Sequence, residues 1–131
     1  MNELLAQSYI AEIANISKSL QDEYTDLSQA LHYRNIWYAR LSEISVEIDH
    51  AYYNRLAEIT EEYDAKAERP SERLSEWKAK AFMQRTIEGR MYELKKRVMK
   101  TIEKQCEFIQ SELIEMQSDR KYSGYQQTSH R

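Results

Sequence analysis

The residues able to do chemistry in this chain are few. "EIDH" at 47–50 is a Glu-x-x-His unit, the half-site from which di-iron helix bundles are built. Such a centre needs a second unit and two more glutamates. His32 has Gln29 three residues before it instead of Glu, and His130 sits near the end of the chain. No His-Glu-x-x-His zinc signature occurs and no Gly-rich phosphate loop. The single cysteine, Cys106, rules out an internal disulfide and a cysteine metal cage, and it falls on an apolar row that suits packing better than nucleophilic attack. No catalytic constellation emerges, so the expectation is a non-enzyme without metal or other cofactor.

The remaining chemical signal is cationic. In "ELKKRVMKTIEK" (93–104), Lys96, Lys100 and Lys104 stand four apart, with Arg97 beside them. A helix stacks the three lysines on one face, at a cost of about 0.2–0.5 kcal/mol per like-charged pair. The whole chain carries a net charge of -3, which makes that stripe stand out. Residues 1–64 hold four Lys/Arg against twelve Asp/Glu, a net of -8, whereas residues 65–131 hold fifteen against ten, a net of +5. Such a dipolar chain suits antiparallel halves, head-to-tail assembly or an anionic ligand on the basic part.

Helices must position these residues. Only two glycines and one proline occur in 131 residues, against an average usage of about 7% and about 5%. Few breakers mean few turns. Leu5, Tyr9, Ile13, Ile16 and Leu20 repeat at helical spacing behind a capping Asn2. "DEYTD" at 22–26 interrupts, and from there Trp37, Leu41, Ile44, Ile48, Tyr52, Leu56, Ile59 and Tyr63 form one row. Pro70 ends that helix, and Ser71 can cap the next. A third row runs through Leu74, Trp77, Ala81, Ile87, Met91, Leu94, Val98, Ile102, Cys106, Ile109, Leu113 and Met116. The predicted helices span about 3–21, 26–68 and 72–118, within a single domain over 1–118, and a polar tail over 119–131 (with Tyr122 and Tyr125) is expected to be mobile. Gly89 reads as a close-packing or weak point.

Both long rows step 4, 4, 3, from Ile48 to Ile59 and from Val98 to Ile109, so they are expected to pack on each other. A turn centred on Pro70 makes them antiparallel and sets Trp37 near Ile102, Leu41 near Val98, Ile48 near Met91 and Tyr52 near Ile87. That register pairs Glu43 with Lys96 and Asp49 with Arg90, and gathers the other cations at the end remote from Pro70. No acid occurs from Leu27 to Ser42 or from Leu94 to Ile102. Arg34, Arg40, Lys96, Arg97, Lys100 and Lys104 would meet there, with Tyr33, Trp37 and Tyr38 among them. Cations interleaved with aromatics make a groove for single-stranded nucleic acid. A solvated face or an acidic partner subunit accounts for the same cations.

The layout resembles the UvsY-type recombination mediators of T-even phages. An aromatic–basic helix, "HYRNIWYARLSEISVEID", leads into "AYYNRLAEI"; a short polar turn, "SEWKAKAF" and a final helix ending "CEFIQSELIEMQSDR" follow, over about 27–121. The resemblance implies single-stranded DNA (ssDNA) binding, assembly into rings, and help in loading a RecA-type recombinase in the presence of single-strand binding protein. The acidic N-terminal half departs from a simple DNA-binding surface.

The expected fold is therefore all-α: a long, coiled-coil-like antiparallel hairpin with a shorter N-terminal helix packed on it. Two helices cannot cover both apolar rows, so the N-terminal helix must cover one side or neighbouring subunits must; the expectation is a homo-oligomer with Leu113 and Met116 among its buried contacts. The leading expectation is an ssDNA-binding accessory protein of phage-type recombination or replication, working in the cytoplasm and off the membrane. The alternatives are a helical adaptor or inhibitor, whose acidic half contacts a basic partner or mimics nucleic acid, and a structural scaffold.

Overall fold

The computed structural model describes residues 1–129, with side chains described through Lys121. Tyr122 and Tyr125 therefore have no side-chain account, and His130 and Arg131 lie outside the described residues. Four α-helices follow one another: α1 (Glu3–Ser19), α2 (Leu27–Ala65), α3 (Glu76–Met83) and α4 (Ile87–Ser129), with a single 3-10 turn at Pro70–Glu72. Among the described residues there is no strand, and no helix is long and apolar enough to cross a membrane.

The starts of α1 and α2 follow from local chemistry. Asn2 Oδ1 accepts the Leu5 backbone N–H at 2.8 Å, and Asp26 Oδ1 accepts that of Gln29 at 3.0 Å. Each satisfies one of the donors that a helix start leaves free, typically worth about 1 kcal/mol. α2 and α4 run antiparallel. Arg34 meets Gln105, Tyr38 meets Glu103, Asp49 meets Lys95 and Tyr52 stacks on Tyr92. α1 runs antiparallel to α2 and parallel to α4: Tyr9 bonds Glu47, Glu12 bonds Arg40, and Gln105 reaches the Leu20 carbonyl. One core joins the three, with Ile13, Leu41, Ile48, Met91, Val98 and Ile102 fully buried. Each such side chain stabilises by about 1.5–3 kcal/mol relative to exposure.

The third predicted helix is broken. α3 ends at Met83, and Thr86 caps a new start. Its hydroxyl donates to the Met83 carbonyl at 2.6 Å and accepts the Gly89 N–H at 3.0 Å. Gly89 is buried where the two helices touch; a Cβ there would lie 1.8 Å from the Met83 carbonyl oxygen. The break turns α3 onto the last third of α2, where Phe82 packs near Tyr63 at 6.1 Å. Trp77, expected on the core row, is 70% exposed as a consequence.

The break also shifts the register. Asp49 bonds Lys95, not Arg90, and Tyr52 stacks on Tyr92, not beside Ile87. Glu43 takes Arg40 on its own helix, not Lys96. The chain between α2 and α4 contains a whole helix, so the turn consumes more residues than one centred on Pro70. At the remote end, where Arg34 reaches Gln105, the pairing matches the register expected from the sequence. α4 itself continues past the predicted end near Ser118 to Ser129.

Candidate nucleic-acid interface

α4 buries Met91, Lys95, Val98, Ile102 and Ile109, so helical geometry turns Lys96, Arg97, Lys100 and Lys104 outward, and all four are exposed. At 1.5 Å rise per residue, Lys96, Lys100 and Lys104 follow one another at about 6 Å. Among the described residues no carboxylate lies within ion-pair distance of any of the four. Glu103, the nearest acid in sequence to Lys104, is turned toward α2, where it accepts the Tyr38 hydroxyl at 2.6 Å. Lys96 lies 5.2 Å from the Tyr92 ring centre, so it stands at one edge of the track next to an aromatic wall.

The α2 cations of the expected groove are each held by other parts of the chain. Arg34 is 3% exposed. Its Nε donates to Gln105 Oε1 at 2.8 Å, its Nη1 donates to the Ala30 carbonyl at 3.0 Å, and its guanidinium lies 4.8 Å from the Tyr24 ring centre. A cation buried to that extent, with Nε and Nη1 both hydrogen-bonded inside the molecule, is poorly placed to meet a phosphate. Arg34 stands three residues before the half-buried Trp37 and seven before the buried Leu41, so the helical row that carries them also turns Arg34 inward, and that spacing is the signal in the sequence. Arg40 donates to Glu12 of α1 at 2.9 Å and lies 3.4 Å from Glu43. Two acids neutralise it, and the Glu12 hydrogen bond is the main influence raising its pKa.

The tyrosines divide similarly. Tyr38 gives its hydroxyl to Glu103, which raises its pKa along with burial. Tyr33 is exposed and stacks on Trp37 with ring centres 6.0 Å apart. Its pocket, about 340 Å³, is rimmed by Asp22, Glu23 and Asp26, an acidic setting that repels phosphate. The structure thus brings together the α4 cations alone. Arg34, Arg40, Tyr33 and Tyr38 do not join them in one groove.

Two features went unread in the sequence. Lys95, buried on the core side of α4, donates to Asp49 Oδ1 at 2.6 Å. Tyr52, Tyr53 and Tyr92 form a cluster: Tyr92 stacks on Tyr52 with centres 4.0 Å apart and meets Tyr53 edge-on at 6.2 Å. The Tyr92 phenol is pushed far above the usual tyrosine range, first by the Tyr53 hydroxyl and then by burial. The adjacent pair in "AYYN" was a signal, but only the shifted register sets Tyr92 against it.

At the other end α4 outruns its partners. α2 begins at Leu27 and α1 ends at Ser19, so among the described residues no other helix lies alongside α4 beyond about residue 112. Leu113 is half-buried, whereas Met116 is exposed and Ile114 is 63% exposed. Among the described residues no group of three or more His, Cys, Asp or Glu side chains is gathered as a metal ion would need. Comparison with protein-family models, with curated proteins and with solved structures finds no match to this chain.

Proposed function

We propose that this protein is a non-enzymatic nucleic-acid-binding accessory protein that holds single strands along the outer face of α4. The observation that supports it is the track of four exposed cations, Lys96, Arg97, Lys100 and Lys104, with no acid of the described chain in ion-pair range. Their chemistry is phosphate neutralisation with release of counterions, which binds any sequence and weakens with salt. A recombination or replication role, with a RecA-type recombinase and single-strand binding protein as partners, rests on the UvsY-type layout.

Assembly would multiply such weak contacts. The projecting end of α4 continues the core row through Leu113 and Met116, and an isolated helix of this length is marginal in water. A second copy packing on that row, in a coiled-coil-like pairing, would cover it and set several tracks side by side, which raises avidity without new contacts. The same uncovered row favours one other reading, a helical adaptor that docks a different protein there.

The test is ssDNA binding by fluorescence anisotropy at several salt concentrations, with solution mass measured in parallel. Each lost phosphate contact lowers the logarithmic salt slope by about 0.7 on single strands. The triple variant Arg97→Gln, Lys100→Gln, Lys104→Gln should therefore lower it by about 2 and keep its helicity. Absence of binding at low salt, or an unchanged slope in the variant, refutes the reading. A drop in oligomer mass with unchanged DNA affinity would instead assign the cations to assembly.

A further inference from the structure

A cleft opens beside the cationic track where α2, α3 and α4 meet, with a volume of about 460 Å³. That lies within the roughly 300–1,000 Å³ of ordinary small-ligand sites. One wall is aromatic. Tyr53 is 56% exposed, and behind it Tyr92 is fixed by stacking on the buried Tyr52. The opposite wall is α3, which contributes Lys80 and Glu76, 3.8 Å apart. Lys96 stands on the α4 side, and it is the one member of the track that also lines the cleft. Glu93 lines it too, with no cation in ion-pair range among the described residues.

These features select an occupant. A strand laid along Lys104, Lys100 and Lys96 runs into the mouth of the cleft. A phosphate would stop at Lys96, because Glu93, which has no cation in ion-pair range among the described residues, disfavours an anion further in, while Glu76 is balanced by Lys80. A neutral, planar group carrying amino hydrogens suits that interior: it can stack on Tyr53 and donate to Glu93. An unpaired nucleobase is such a group, and cytosine presents its N4 amino group to carboxylates in this way.

We propose that the Tyr53–Tyr92 cleft is a base-binding slot, which takes one unstacked nucleobase of a single strand while Lys96 holds the adjoining phosphate. This rests on the reading of α4 as a phosphate track and adds a base-dependent component to it. The same strand in duplex form cannot use the slot, because its bases are stacked and paired.

The decisive comparison uses the wild-type protein with a short oligo(dC) and an abasic strand of equal length and charge. Stacking of one base predicts oligo(dC) to bind about 5- to 150-fold tighter. Tyr53→Ala should erase that preference and leave the salt slope unchanged, whereas Tyr53→Phe, which keeps the ring, should retain it. Equal affinity of the wild-type protein for both strands overturns the slot and leaves the track standing. Binding of neither strand removes the track, and the slot with it. A Tyr53→Ala variant that weakens both strands equally also overturns the slot.

Discussion

Replacing Gly89 by Ala probes the junction that shapes the cleft. In an ordinary helix interior the change stabilises by about 1 kcal/mol, since Ala is the better helix former. Here the new Cβ would lie 1.8 Å from the Met83 carbonyl oxygen and 2.5 Å from its carbon. Both are backbone atoms. They cannot turn aside as a flexible side chain could, so α3 must move away from α4 by more than an ångström. Overpacking of this kind costs about 1–3 kcal/mol, and a clash with backbone belongs at the upper end. Setting about 3 kcal/mol against about 1 leaves a net loss of about 2 kcal/mol. For a chain of this size that lowers Tm by about 7 °C. Urea unfolding followed by circular dichroism gives the free energy directly. The sign decides the matter: a Gly89→Ala variant as stable as wild type, or more so, refutes the close packing of Met83 on Gly89 and the broken-helix geometry with it.

Three other outcomes follow from the same geometry. Asp49→Asn leaves the Lys95 ammonium buried without its counter-charge and should cost about 1–3 kcal/mol, below the fully buried case because Asp49 is half-exposed, whereas Lys95→Met should stay within about 1 kcal/mol of wild type; urea titrations distinguish them. Arg34→Gln should lower stability by about 1–3 kcal/mol through its lost buried hydrogen bonds, yet leave the ssDNA salt slope unchanged, opposite to the effect of the α4 cations. The hydrogen bond to Glu103 and burial hold the Tyr38 phenol above its ordinary 10.0, so folding favours its neutral form; that contribution is complete below about pH 10 and is lost as pH rises beyond it, and Tyr38→Phe should flatten the alkaline loss of Tm.

The all-helical class was legible because it follows from local rules. Scarce breakers, the capping residue Asn2 and apolar residues three or four apart each act over one turn of chain. The outward face of Lys96, Lys100 and Lys104 was legible for the same reason, since the row through Val98 and Ile102 defines the opposite face. The break at Gln84–Thr86 was not. It depends on Gly89 meeting Met83, a contact between two helices, and "RTIEG" carries no proline to announce it. Without the break, the sequence sets the turn at Pro70 and so misplaces the partners of Asp49 and Tyr52 along α4. The composition of the site depended on that same tertiary information. Arg34 and Lys100 are both cations in acid-free helical stretches, and although Arg34 falls on the row of Trp37 and Leu41, spacing alone does not say what encloses it. Packing does: Arg34 sits where α2, the 20–26 loop and α4 converge, so Gln105, Ala30 and Tyr24 enclose it, whereas Lys100 stays exposed on the outer face of α4. A charge is available to a ligand only if the fold leaves it both exposed and unpaired, and those two conditions are set by neighbours far away in the chain.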